Sequence, residues 1–239
     1  MKIIHANSSL PRSGSELLQA LLAQHPQVYA SPTSPLLEYF YGAMANTAMA
    51  EVKAQDPALM KQAFTAFMRE GARGYYEAIT DKPVVVDKSR GWLQHAEMLW
   101  DCYPQARIIC MTRKLEDIIA SLERIYQQHN GHPETRHLPR SRQARAEYWQ
   151  RPGTAPLGIA LERIRDRQAS GEDQRILYVD YDALIERPVA VMRRVFGHLG
   201  LEPVDIDPNH VRKAAPEDDA PFGIFGRHQL RRVVGYRKD

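Results

Sequence analysis

Residues 2–24 read "KIIHANSSLPRSGSELLQALLAQ", and the way these letters divide decides the fold. Residues 2–6 are nearly all apolar and partly β-branched, the pattern of a strand buried on both faces. Leu17, Leu18, Leu21 and Leu22 repeat at helical spacing and stop before His25-Pro26, because the residue ahead of a proline is driven out of the α region. Between strand and helix lies "NSSLPRSGSE" (7–16). A glycine-containing loop in that position aims backbone N–H groups and a helix N-terminus at an anion. Gly14 permits close approach, Arg12 adds a fixed charge, and Ser13 and Ser15 add hydroxyl donors.

Leu-Pro-Arg-Ser returns at 138–141. No glycine follows this copy, and neither a preceding strand nor helix-cap geometry is expected there. It reads as a coincidence of composition.

Three further runs have strand character: "PVVVD" (83–87), "ARIICMT" (106–112) and "RILYVDY" (175–181). Helical patterns occupy 114–128, where Leu115, Ile118, Ile119, Leu122, Ile125 and Tyr126 share a face, and 187–200, which opens on a first-turn proline and closes on Gly200. The alternation predicts an α/β fold, a doubly wound, mostly parallel sheet flanked by helices. One domain is expected over 1–239. Residues 127–157 lack periodicity until "ARAEYWQ" and read as a lid or substrate-side insertion. Residues 203–239 are expected to fold back onto the ligand.

At 239 residues the chain can bury the core of one large α/β domain. Its 44% hydrophobic and 26% charged residues describe an ordinary globule. No run approaches the ~20 apolar residues of a membrane span, and "MKIIHANSS" reads as a first strand, not a signal peptide. A cytoplasmic protein without membrane contact is expected, with Cys102 and Cys110 as buried free thiols. The net charge is only +3, yet 136–151 holds five arginines against one acid, Glu147. That patch suits an anionic ligand but lacks the aromatics of a nucleic-acid surface, so no nucleic-acid partner is expected.

The loop for nucleoside triphosphates, G-x-x-x-x-G-K-[ST], needs a first glycine, a lysine and a magnesium-holding hydroxyl. Aligned on Gly14, this chain has Ser9, Ser15 and Glu16 there. An acid in the hydroxyl's place disfavours a kinase. His129, His132 and His137 cluster, but Pro133 and Pro139 break helical ligand spacing, so no metal is expected. A second anion constellation follows strand 106–112: Arg113 at its end, and Ser121 about two turns into the next helix. The two could converge on one phosphate group if the turn doubles back.

Together these residues resemble the sulfotransferases that use 3′-phosphoadenosine-5′-phosphosulfate (PAPS). "LPRSGS" resembles that family's 5′-phosphosulfate loop, and Arg113 with Ser121 resembles its 3′-phosphate site. "VVDKSRGW" is similar to the strand that presents a lysine to the sulfate, here Lys88. "HPQVYASPTSPLLEYF" is similar to the segment that carries a catalytic glutamate in some branches, here Glu38. "ILYVDYDALIERP" is similar to the strand and turn whose tyrosine approaches adenine, here Tyr181. The resemblance covers roughly 1–202 and implies a P-loop-like sulfotransferase fold. It also implies PAPS as donor, 3′-phosphoadenosine-5′-phosphate (PAP) as product, and a small-molecule or glycan-like acceptor.

The chain departs from the family's pattern at three places. Glu16 replaces a hydroxyl usually offered to the 5′-phosphate. Arg90 stands where the soluble animal branch has its catalytic histidine. The C-terminal clamp of that branch is matched only weakly, by Arg227. The resemblance implies that Arg12 and Lys88 stabilise charge on the departing nucleotide and that a carboxylate takes the acceptor's proton. Glu38 is the first candidate for that base. Asp87 is the second, although pairing with Lys or Arg is the expected role of Asp87. The other function classes are a small-molecule kinase of similar loop architecture and a non-catalytic adenine-nucleotide-binding module.

Overall fold

The computed structural model describes residues 2–171, 173–213, 217–218 and 220–226. Five strands, β1 (Ile3–Asn7), β2 (Val28–Thr33), β3 (Val84–Lys88), β4 (Ile108–Thr112) and β5 (Ile176–Asp180), form one sheet in the order β2-β3-β1-β4-β5. Every adjacent pair is parallel. The helices are α1 (Ser15–Leu22), α2 (Leu36–Ala45), α3 (Ala50–Lys53), α4 (Pro57–Glu77), α5 (Ala96–Cys102), α6 (Leu115–Gln128), α7 (Arg142–Trp149), α8 (Pro156–Ser170), α9 (Tyr181–Glu186), α10 (Pro188–His198) and α11 (Gly223–Gly226). Among the described residues no helix is long and apolar enough to cross a membrane.

Side-chain alternation splits the core in two. Val85, Ile108, Cys110 and Ile176 pack with α2, α4, α5, α6, α7 and α8, whereas Val84, Val86, Ile109, Met111 and Val179 pack with α1, α9 and α10. Both faces are covered, which is why the strands read as continuous apolar runs. The doubly wound parallel architecture predicted from the sequence is present. From β1 the chain goes out to the edge strand β2, returns inward to β3, then crosses to β4 on the other side of β1. The reversal leaves a crevice at the carboxyl ends of the strands beside β1, where α/β sheets bind ligands.

Three expectations need correction. The sequence reading had four strands, and β2 was missed. Its run "VYASPT" carries Pro32, which an edge strand tolerates. The second Leu-Pro-Arg-Ser copy does have cap geometry, because the Ser141 hydroxyl accepts from the Ala144 N–H at 3.2 Å and starts α7. The arginine patch is partly structural: Arg145 is buried, forms an ion pair with Glu123 of α6, and lies 3.9 Å over the Tyr126 ring. These contacts tie the 127–157 segment to α6. The two cysteines are free and buried, and burial pushes their thiols up to about 11 at Cys102 and about 12 at Cys110.

His5 sits in the central strand, 2% exposed, and its Nδ1 accepts from the Arg107 N–H at 3.0 Å. Burial first, then the charges of His198 and Arg107, push its pKa down to about 4. The unfolded chain therefore takes up this proton at a higher pH, near the ordinary value of 6.5. Stability from this group is present above 6.5 and is lost as pH falls towards 4, at up to about 1.4 kcal/mol per unit. His5→Asn keeps an acceptor near the same place and does not titrate. Urea unfolding between those pH values should show a flatter acid slope in the variant; parallel slopes would exclude His5 as the source.

Candidate active site

The loop between β1 and α1 is built from left-handed backbone at two of three successive positions, Arg12 (φ 60°) and Gly14 (φ 90°). Arg12 is the one non-glycine residue with positive φ among the described residues. At Gly14 a side chain is excluded twice, by φ and by the Tyr181 ring, whose Cδ2 would lie 2.5 Å from an added Cβ. The loop is pinned from below. Ser8 Oγ donates to the Arg90 carbonyl at 2.8 Å, Ser9 Oγ accepts from the Met111 N–H at 3.0 Å, and Ser13 Oγ donates to the Leu10 carbonyl at 2.6 Å. The Ser13 hydroxyl, read from the sequence as a ligand donor, is thus committed to closing the loop.

Above the loop is a cavity of about 60 Å³ lined by Asn7, Ser9, Arg12, Ser15, Thr33 and Lys88 together with Ser89, Arg90, Phe225 and Gly226. Sheet register explains the grouping: Asn7 and Thr33 both pair with Lys88, the last residue of β3. The Lys88 ammonium meets the carboxylate of Glu16 from the first turn of α1, and both side chains are largely buried. Sequence reasoning missed this contact, which joins residues of two different elements.

Both members of the second constellation bond Arg12, which lies between them. Arg12 Nε donates to Ser121 Oγ at 3.3 Å, and Arg113 Nη1 donates to the Arg12 carbonyl at 3.2 Å. The Arg113 guanidinium also lies 4.4 Å over the ring of Tyr181, which opens α9. Arg12, Gly14, Arg113, Ser121 and Tyr181 thus form one contact group. Arg113 Nε is buried and has no hydrogen-bond partner among the described residues, as has Thr33 Oγ1 in the cavity wall. A buried donor left unmade is costly.

The two candidate bases differ sharply. Asp87 is fully buried, accepts from Trp92 Nε1 at 2.6 Å and from the Tyr76 hydroxyl, and its pKa is raised, chiefly by burial. Its partners are neutral donors, these two and Ser34, not the Lys or Arg expected for it. Alternation along β3 turns it away from Lys88. Glu38 is exposed in the first turn of α2. The neighbouring Leu37 packs on the turn after Lys88, since a Cβ on Gly91 would stand 2.4 Å from Leu37 Cδ2. One turn beyond Glu38, the Tyr41 hydroxyl is 2.7 Å from His95 Nε2, a pair that no motif in the sequence announces.

Of the C-terminal segment, the described residues 220–226 reach the site. Phe225 and Gly226 line the cavity, the Ile224 N–H donates to Glu134 at 3.1 Å, and the Thr33 N–H donates to Glu217 at 3.0 Å. Arg227 lies outside the described residues. Among the described residues, no group of three or more His, Cys, Asp or Glu is placed to hold a metal ion. Gly14→Ala should cost about 1–2 kcal/mol for left-handed backbone, and more for the clash with Tyr181. Placed in a Tyr181→Ala background, the same change should lose only the backbone part. Equal losses in the two backgrounds, measured by urea unfolding, would exclude the ring contact.

Residues 8–205 match the model of the Sulfotransferase family. The nodulation protein NoeE of Sinorhizobium fredii is 29% identical over 82% of this chain, and the chain spans about half the length (50%) of that relative. In fold, the chain is similar to the sulfotransferase domain of the Synechococcus PCC 7002 olefin synthase (TM-score 0.54, 21% identity, 86% of this chain and 74% of that one). It is also similar to a sulfotransferase from Alicyclobacillus acidocaldarius (0.54, 14%, 92% and 87%) and to a mouse sulfotransferase complexed with PAP (0.50, 15%, 85% and 60%). With a family match over most of its length and the loop of that match built around Arg12 and Gly14, this chain belongs to the sulfotransferase family.

Proposed function

We propose that the protein moves a sulfuryl group from PAPS to a hydroxyl or amine of a small-molecule or glycan-like acceptor and releases PAP. One observation carries this reading: Arg113 and Ser121 both bond Arg12 of the glycine loop. Two arrangements suited to anions are thereby set side by side. One is the loop with Lys88, suited to a phosphosulfate; the other is Arg113 with Ser121, suited to a second phosphate. A donor with charged groups at both its 5′ and 3′ positions matches that pair. The mouse relative's complex with PAP agrees with the reading.

The donor supplies an activated sulfuryl group. During transfer the bond from sulfur to the bridging oxygen breaks, and its electron pair stays on the nucleotide's 5′-phosphate. Arg12 and Lys88 stabilise that charge as it develops. Ser15 and the backbone N–H groups at the start of α1 hold the same phosphate. Tyr181, with one face under Arg113, is assigned to the adenine side. The acceptor's proton goes to Glu38, which is exposed in the first turn of α2 next to Leu37, and Leu37 packs on the turn at Gly91. Asp87, already holding two donors in the core, is poorly suited to that task.

Two measurements test this. PAP and AMP differ by the 3′-phosphate, which is assigned to Arg113 and Ser121. Removing one partner of a desolvated charged pair costs about 2–5 kcal/mol, so Arg113→Ala should weaken PAP at least tenfold and AMP much less. Arg12→Ala should weaken both. Calorimetric titration decides it, and equal losses of PAP and AMP in Arg113→Ala would defeat the donor assignment. For the base, Glu38→Gln should lower kcat with PAPS by about 10²–10⁴-fold and leave PAP affinity unchanged. A wild-type kcat would remove Glu38 from the mechanism.

A further inference from the structure

Glu16 is the place where this chain sets an acid against its own anion loop, and the structure shows what the acid holds. Its carboxylate meets the Lys88 ammonium, with the two side chains 15% and 7% exposed. Lys88 lines the cavity and Glu16 does not. Both backbones are fixed. The Lys88 N–H donates to Ser31 Oγ at 2.8 Å, its carbonyl accepts from the Ser34 N–H at 3.0 Å, and Asn7 and Thr33 flank it in the sheet. Glu16 sits in the first turn of α1, two residues after the left-handed Gly14. With both backbones fixed, the pair parts only by side-chain rotation.

We propose that Glu16 is a positioning residue that competes with the nucleotide for Lys88, holding the ammonium when the loop carries no anion and yielding it to the donor's 5′ group. The inference rests on the donor reading above. A buried ammonium deprived of a counter-charge is strongly unfavourable, so Glu16 keeps Lys88 charged and aimed at the loop between turnovers. An entering phosphosulfate takes up the same ammonium and brings a second anion beside the carboxylate, and like charges at close range repel. The cost of parting Glu16 from Lys88 is therefore subtracted from the affinity for any 5′-phosphate. When the product leaves, the carboxylate recaptures the lysine. A hydroxyl in the same place would do neither, so this substitution makes the loop a weaker and faster-exchanging holder of the 5′ end.

The test uses three nucleotides and two variants of the full chain. Glu16→Gln keeps the shape without the charge, and Glu16→Ser supplies a hydroxyl. In both, PAP and AMP should bind at least fivefold tighter by calorimetry, and PAP should dissociate correspondingly more slowly in stopped-flow displacement. Adenosine 3′-phosphate, which has no 5′ group, should bind as before. A counter-charge with a purely structural role would lower the melting temperature and leave this pattern of affinities unmoved. Unchanged or weaker PAP binding overturns the proposal, as does equal tightening of all three nucleotides. Failure of both variants to fold even with PAP present also overturns it, since Glu16 would then be a structural counter-ion. PAP failing to bind the unaltered protein would overturn the donor reading itself, and the proposal with it, and is thereby told apart from these results.

Discussion

The hydrogen-bond ladder between β1 and β4 does not stop where β1 stops. The Ser8 N–H donates to the Ile109 carbonyl at 2.9 Å and the Leu10 N–H to the Met111 carbonyl at 3.0 Å, both beyond Asn7. The chain stays bound to β4 until Leu10 and must then reverse into α1 within four residues. That reversal requires the left-handed backbone at Arg12 and Gly14. The pairing also delivers Arg12 beside the end of β4, where Arg113 and the start of α6 follow. A looser loop would leave Arg12 free to sample solvent. The extended ladder instead fixes its carbonyl as an acceptor for Arg113 and its Nε as a donor to Ser121.

Charge compensation is the second constraint. Arg12, Lys88, Arg90 and Arg113 all approach one end of the sheet. Cations gathered in a partly buried site raise one another's energy, and the fold answers with partners of different strength. Arg113 has the Tyr181 ring and a neutral carbonyl, both of which leave its charge unneutralised. Lys88 is in an ion pair with an acid, Glu16. That pair offsets charge at the Lys88 end, whereas the ring and the carbonyl do not neutralise Arg113. The asymmetry agrees with the proposed donor, whose 3′-phosphate takes no part in the transfer.

Much of this was legible in the sequence, and the limits have physical causes. The β1 loop and α1 could be read because strand, glycine loop and leucine stripe lie within about twenty consecutive letters. Arg113 and Ser121 could be paired because helical rise converts a spacing of eight into a distance. The hub between them, Arg12, could not, since it comes from 101 and 109 residues away. Glu16 was recognisable as an oddity of the loop, but its partner on β3 follows only from strand order. Asp87 looked like a partner for a neighbouring cation. Period-two alternation sends it instead to the opposite face, where Tyr76 and Trp92 hold it. The edge strand β2 was hidden by Pro32, and the capping role of Ser141 by an apparent repeat of the loop motif.

The roof of the site depends on the same economy of backbone pairing. The segment that brings Phe225 and Gly226 to the cavity is anchored through two carboxylates, not through a strand. Glu217 accepts from Thr33 at the end of edge strand β2, and Glu134, from the segment after α6, accepts from Ile224 at the start of α11. Each anchor uses a backbone N–H that the sheet or the short helix leaves unpaired. Gly223 is left-handed, and a Cβ there would meet the Glu134 carboxylate at 2.4 Å, so the second anchor itself demands a glycine. Glu134 thus ties the 127–157 segment to α11, and Glu217 ties the stretch before α11 to β2, which leads into α2. The cavity is consequently roofed by elements that sequence order keeps far apart, and a shift of Phe225 must also act on the Glu134 anchor next to it.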